Sequence, residues 1–382
     1  MNRFLALLLS LAFAGAASAQ TPQPPEIAAK SYILVDLSSN QTLAERDADA
    51  PADPASLTKL MTAYLAFNAI KEKRFTLEQR MPVSRRAWAE RKGGGSLMFI
   101  DTTMTPTMDE LLHGVIIQSG NDASVAVAEA VGGTLDQFVA MMNRQAQAWG
   151  MKNTSFKNVT GLTEAGHQST ARDVAVLAGH IIKEHPDFYT YYSIRDYKYN
   201  NIAQPNRNLL LRRDPTVDGM KTGHTDQAGY CLVASAQRDF PNGKRRLLSV
   251  VLNTASAEAR ANESQKLLNW GFSAFDAIRL FTEQKPLATV PVWKGAAKEA
   301  RLGAGQAVYV TVPHGEGANL KTTIERTDPL IAPLAAGQKV GTLKVATAAG
   351  TKVAEVPLVV MEAVEQAGFF GRAWDAIRLW IK

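Results

Sequence analysis

Apolar positions cluster at strand-like spacing in Ser31–Leu37 and again in Gln41–Glu45, with Ser38-Ser39-Asn40 between them, which predicts a hairpin. Leu57, Leu60, Met61, Tyr64 and Leu65 then recur at helical spacing. They predict a helix that opens at Asp53-Pro54, runs to about Lys73 and buries one side. Residues 75–108 carry no clear period, and Gly93-Gly94-Gly95-Ser96 within them reads as a turn. Helices are expected over Met108–Gln118, Asp122–Val131, Asp136–Trp149 and Ala171–Lys183, the last capped by Thr170 with Asp173 as its acidic partner. A loop fills 151–170, and a tyrosine-rich one reaches about Tyr199. Gly229–Gln237 and Lys244–Asn253 predict a second hairpin across Phe240-Pro241-Asn242-Gly243, followed by a long helix over 256–279. Strands, then helices, then strands and a helix describe an α+β domain: a mostly antiparallel sheet flanked by helices.

The pattern changes after about residue 283. Leu287–Val292, Gln306–Val312, Leu320–Glu325, Lys339–Val345 and Val353–Met361 are short strand-like runs punctuated by glycines, which predicts a small all-β domain over 283–363. Residues 364–382 close the chain with an amphipathic helix from Gly368 to Lys382. Phe369, Phe370, Ala373, Trp374, Ile377, Trp380 and Ile381 share one broad side, and Arg372, Asp375, Arg378 and Lys382 share the other. Aromatics opposite basic groups suit a helix lying in a membrane interface. The alternative is a terminal helix packed on its own protein.

The first 19 residues differ again: Arg3, an apolar run from Phe4 to Phe13, then Ala17-Ser18-Ala19 before Gln20. That is the pattern of a secretory signal peptide and its cleavage site. The body of the chain is then residues 20–282, exported with the rest. Of 382 residues, 46% are hydrophobic and 20% charged, which fits a folded globular protein. Cys231 is the only cysteine, so no internal disulfide forms, and it reads as a small core residue. The net charge of +6 is scattered without interleaved aromatics, so a nucleic-acid partner is not expected, whereas an anionic membrane surface or wall polymer is.

Three motifs carry candidate chemistry. In Ser56-Leu57-Thr58-Lys59, the hydroxyl and the amine lie three apart and share a helix face. An amine with a lowered pKa can take the serine's proton, and burial or a second positive charge lowers it. Ser56 in the first turn also leaves its backbone N–H free for a developing oxyanion. Ser119-Gly120-Asn121 offers a hydroxyl to relay a proton to a leaving amine and an amide to hold a substrate. Lys221-Thr222-Gly223 supplies positive charge that attracts an anionic substrate and depresses Lys59. The strand after Gly223 can pair with an extended peptide, and the His224 N–H can complete an oxyanion hole. No metal or cofactor is implied, because the six histidines show no ligand spacing.

In this order the motifs resemble those of the penicillin-recognising serine enzymes. The likeness is to low-molecular-mass penicillin-binding proteins that are D-alanyl-D-alanine carboxypeptidases, and it extends to Ser96-Leu97-Met98-Phe99, Ser169-Thr170-Ala171-Arg172-Asp173, His224-Thr225 and Asn262-Glu263-Ser264. The resemblance implies a β-lactamase-like transpeptidase domain. It implies that Ser56 forms the acyl-enzyme, Lys59 is its base, Ser119 passes the proton onward, and Asn121, Lys221, Thr222, Gly223 and His224 bind substrate. Arg260 would hold the terminal carboxylate. The substrate implied is a peptidoglycan stem peptide ending in D-Ala-D-Ala, and β-lactams would acylate Ser56. The location implied is the periplasmic side of the inner membrane, held through residues 368–382. A D,D-endopeptidase stays open on the motifs alone, whereas a non-enzymatic wall-binding protein would need a defect outside them, because all three motifs are intact. A class A β-lactamase fits less well, since it carries Ser-Asp-Asn where this chain has Ser119-Gly120-Asn121, and the surroundings of Glu164 do not match its pattern.

Overall fold

The computed structural model describes residues 22–241 and 243–381. The segment read as a signal peptide, and Lys382 of the expected basic face, lie outside these residues.

Both predicted hairpins form. Strands β1 (Ser31–Asp36) and β2 (Gln41–Arg46) make the first. A small separate ribbon, β3 (Asp196–Tyr199) with β4 (Ile202–Pro205), replaces part of the expected tyrosine-rich loop. β5 (Val217–Thr225), β6 (Gly229–Phe240) and β7 (Gly243–Thr254) complete an antiparallel sheet in the order β2-β1-β7-β6-β5. Lys221-Thr222-Gly223 precedes the strand that opens at Gly229, as expected, and itself lies inside β5, the edge strand. The apolar run Leu247–Leu252 in β7 is buried throughout because helices cover both faces of the sheet. On one face Tyr32, Leu34, Leu232 and Leu247 pack against Leu267, Leu268 and Phe272. On the other, Ile33, Val233, Leu248 and Val250 join the core of the helical layer.

That layer holds α1 (Lys59–Lys71), the short α2 (Arg85–Ala89) and α3 (Met108–His113), then α4 (Asn121–Gly132), α5 (Leu135–Ala148), α6 (Ala171–Glu184) and the single turn α7 (Pro186–Tyr189), whereas the turn α8 (Leu210–Arg213) packs Leu210 and Leu211 into the core on the opposite face. The expectation of one buried side for α1 is corrected: Leu60 to Phe67 are buried all round, because α4, α5 and α6 all contact it. The helix expected to Gln118 ends at His113 and widens into a π-type turn, Gly114–Gln118. Thr170 caps α6 as read, but the Asp173 carboxylate instead accepts from the Asn153 N–H and the Thr154 hydroxyl, which ties the 151–170 loop to the helix.

The long helix expected over 256–279 is shorter. α9 (Ala257–Ala274) stops, and Phe275–Phe281 becomes β8, paired with β11 (Val308–Pro313). The β-rich part adds β9 (Ala288–Trp293), β10 (Glu299–Gly303), β12 (Lys321–Arg326), β13 (Leu330–Ile331), β14 (Lys339–Ala346) and β15 (Lys352–Val360), in the sheet order β12-β14-β15-β10-β9-β13. It is fastened to the first sheet by a buried polar joint. Asp36 Oδ2 accepts from Arg245 Nε and from Thr311 Oγ1, each at 2.7 Å, and Gln41 pairs with the Thr311 backbone at 2.9 and 2.6 Å.

The last helix, α10 (Phe369–Ile381), is docked by its polar side. Asp375, only 3% exposed, accepts the Lys294 N–H at 2.7 Å, and the Arg378 guanidinium sits over Trp293. Phe369, Phe370, Trp374, Ile377 and Trp380 face outward, with Phe370 86% and Trp380 89% exposed.

Candidate active site

Pro54 and Asp53 start a tight turn, with the Asp53 carboxylate accepting the Ala55 N–H at 2.9 Å. Ala55–Thr58 form one 3₁₀ turn before α1, so Ser56 precedes the α-helix instead of lying in its first turn. Residues three apart eclipse in a 3₁₀ turn, which aligns Ser56 with Lys59. Lys59 Nζ lies 3.0 Å from Ser56 Oγ, 2.8 Å from Asn121 Oδ1 and 2.6 Å from the Thr160 carbonyl oxygen. The last two atoms only accept. A neutral amine has two N–H groups for them and one lone pair left, which faces the Ser56 hydroxyl. That is the geometry of a base and its nucleophile.

Burial pulls Lys59 down to about 7, with the Arg207 charge adding to the shift and Glu90 and Asp122 opposing it. Of the two causes expected, burial and a second positive charge, burial is thus the first, and the charge that adds to it is Arg207 and not Lys221. The repulsion between the two lysines is felt at Lys221. Its pKa is held well below the ordinary lysine range by burial first, and then by Lys59, Arg207 and Arg260.

Ser119 is left-handed, with φ 60°, at the end of the π-type turn. Its Oγ accepts from Lys221 Nζ at 2.8 Å. Ser119 and Asn121 therefore link one lysine each. Gly120 between them has no room for a side chain, since a Cβ would stand 2.8 Å from the Met98 nitrogen and 2.9 Å from an Asp122 carboxylate oxygen. An aspartate there, as in Ser-Asp-Asn, would have to displace backbone.

β5 brings Lys221, Thr222 and Gly223 to the edge of the sheet beside Ser56. The peptide-pairing edge expected after Gly223 is therefore β5 itself. Arg260 Nη1 donates to the Gly223 carbonyl at 3.0 Å from α9, and burial draws its pKa down to about 10. His224 packs against Tyr230 with ring centres 4.0 Å apart and ring planes tilted by 33°. A cleft of about 660 Å³ is lined by Ser56, Ser119, Thr222, Gly223, His224 and Arg260. Gly95 and Ser96 of the glycine-rich turn also reach it.

All nine residues expected from the sequence thus gather around one cleft, Lys59, Asn121 and Lys221 through the hydrogen bonds above. The sequence reading did not find Arg207, which lines the cleft and donates to Ser96 Oγ, nor Thr160 and Gly161. Thr160 acts through its backbone, which no side-chain pattern announces. Gly161 did leave a signal, an isolated glycine in a loop. It has φ +85°, and a Cβ there would fall 1.8 Å from the Ala55 carbonyl oxygen, so the loop lies flush on the Ser56 turn.

Comparison with known proteins bears on this arrangement. Residues 18–256 match the family model described as D-alanyl-D-alanine carboxypeptidase, and residues 275–366 match that of the penicillin-binding protein 5 C-terminal domain. The chain is 43% identical to the D-alanyl-D-alanine carboxypeptidase DacC of Escherichia coli, over 99% of this chain and 94% of that one. The structure is similar to penicillin-binding protein 5 from Haemophilus influenzae, with a TM-score of 0.85 and 39% identity over 90% of this chain and all of that one. It is also similar to penicillin-binding protein D2 of Listeria monocytogenes in its cefotaxime-bound form, with a TM-score of 0.60 and 29% identity over 66% of this chain and 100% of that one.

Proposed function

The chain belongs to the D-alanyl-D-alanine carboxypeptidase family, and from that premise we propose how its residues divide the reaction. The protein is a serine-type D-Ala-D-Ala carboxypeptidase and a penicillin-binding protein. Its substrate is peptidoglycan, and we take the stem peptide ending in D-Ala-D-Ala as the form it cuts. The single observation that carries the assignment of roles is the buried Lys59 amine, whose two acceptor partners leave its lone pair on Ser56 Oγ.

Lys59 takes the Ser56 proton as Oγ attacks the carbonyl carbon of the penultimate D-alanine. The backbone N–H groups of Ser56 and His224 receive the oxyanion. The C–N bond breaks, and the terminal D-alanine leaves as an amine that collects the proton by way of Ser119. Water then opens the ester on Ser56, releasing the shortened peptide and restoring the hydroxyl. Asn121 holds the substrate amide and orients Lys59. Thr222, Gly223 and the β5 edge pair with the peptide, while Lys221 and Arg260 draw in its carboxylate. β-Lactams enter by the same step and stop at the ester. Ser56→Ala should abolish both D-alanine release from a pentapeptide and labelling by fluorescent penicillin, read by mass spectrometry. Retained release would end this assignment.

We place the enzyme on the outer face of the inner membrane, held by α10. Docking through Asp375 leaves five large apolar side chains facing out, the reverse of a helix serving its own core. Removal of residues 366–382 should release the protein from membranes. A truncated chain that still pellets with them would refute the anchoring.

A further inference from the structure

We infer that His167 is a positioning residue for the Ser56–Lys59 pair, its neutral ring strapping the 157–161 loop to the turn that carries Ser56. The inference rests on Ser56 and Lys59 being the reacting pair. His167 is buried, 4% exposed, in the loop ahead of α6. Its Nδ1 lies 3.0 Å from the Lys157 backbone nitrogen, and its Nε2 lies 2.8 Å from Thr58 Oγ1. A backbone N–H only donates, so Nδ1 must carry a lone pair. The ring proton then sits on Nε2 and is given to Thr58. Only the neutral ring in this tautomer makes both bonds.

The two ends of this strap matter to the chemistry. Thr58 lies between Leu57 and Lys59 in the first motif. Lys157 starts the stretch in which the Val159 carbonyl accepts from Thr62 and the Thr160 carbonyl accepts from Lys59 Nζ. Gly161 follows, pressed on Ala55. The His167 ring thus spans the seam between the base and one of the two acceptors that aim its lone pair. If the seam opens, Thr160 no longer fixes the amine, and the lone pair loses its direction toward Ser56.

Protonation would open it. A second ring proton on Nδ1 would face the Lys157 N–H, donor against donor. Burial is the first influence keeping the ring neutral, pulling His167 below its ordinary value. The charged groups that face it are Asp53 before the Ser56 turn, Glu164 and Lys157 of its own loop, and Lys59 of α1. The two acids oppose the shift and the two lysines add to it. Acid should therefore inactivate in two steps, Lys59 first and His167 below it.

The test is the rate of acylation by fluorescent penicillin on the full chain from pH 4.5 to 9, in wild type, His167→Leu and His167→Gln. At pH 8, His167→Leu should acylate about 10- to 100-fold more slowly, the loss that a small misplacement of reacting groups brings. His167→Gln, whose amide still donates to Thr58, should recover most of the rate. On the acid side the wild-type rate should fall with a limiting slope near two protons, and that of His167→Gln with a slope of one. Nitrogen NMR of the wild-type histidines needs no variant and should show the Nε2–H tautomer titrating below 6.5. A wild-type slope of one, an Nδ1–H tautomer, or His167→Leu acylating at the wild-type rate would overturn the strap. Labelling that survives Ser56→Ala would instead overturn the reading beneath it.

Discussion

Lys59→Met separates the cost of the buried base from its use. Lys59 is 1% exposed, and its pKa falls from 10.5 to about 7 on folding. At about 1.36 kcal/mol per decade, that fall is a penalty of roughly 5 kcal/mol. The sign follows from proton counting. Between pH 7 and 10.5 the unfolded chain holds the lysine's proton and the folded chain does not, so stability rises with pH across that window. The penalty is full below pH 7 and gone above about 10.5. Methionine removes it at every pH but leaves Asn121 Oδ1 and Thr160 O without their donor, at about 1–2 kcal/mol each. The variant should thus be more stable than wild type by about 1–3 kcal/mol at pH 6, and less stable by about 2–4 kcal/mol above pH 10. Relief of the repulsion at Lys221 works in the same direction at low pH. Urea unfolding of both proteins at pH 6, 8 and 10 measures the difference. Acylation by penicillin, which needs the neutral amine, should rise through a midpoint near pH 7 in wild type. It should be lost by about 10³-fold or more in the variant. A stability difference that stays flat from pH 6 to 10, or that moves the other way, would refute the claim of a buried, discharged amine.

Four further outcomes follow from the geometry. Gly161→Ala should cost about 3 kcal/mol and slow acylation, because a Cβ at φ +85° strikes the Ala55 carbonyl; chemical denaturation with a penicillin assay reads both. Asp36→Ala, which strands the buried Arg245 guanidinium, should cost about 3–5 kcal/mol, whereas Thr311→Val should cost about 1–2 kcal/mol and loosen the β-rich part first, seen as faster hydrogen exchange in β11. Arg260→Gln should raise KM for a D-Ala-D-Ala peptide about 10- to 100-fold with a smaller effect on kcat, as measured by D-alanine release. Serine at both Phe370 and Trp380 should weaken sedimentation with anionic vesicles by more than tenfold while leaving penicillin acylation in solution unchanged, since each loses about 2 kcal/mol of apolar burial.

The sequence alone carried the two hairpins, most helices of the first domain and the motif residues of the cleft. These follow from local causes: apolar periodicity, a cap at Thr170, turn residues, and three short motifs whose side chains have a single shared use; Arg260 came only with the family resemblance. The tertiary structure decided the rest, because the causes are not local. α1 is buried on every side only because three helices surround it, and its lysine is a base only because that burial discharges it. Phe275–Phe281 leaves the helical pattern because a strand more than 25 residues away pairs with it. Asp375 looks like part of a wet face until the Lys294 amide is beside it, and the face that docks is then the polar one. His167 and Thr160 meet the first motif across about 100 residues of chain, through a ring tautomer and a carbonyl that no spacing rule records. Short-range order can be read from a sequence, but desolvation and the aim of a lone pair depend on what the folded chain brings alongside.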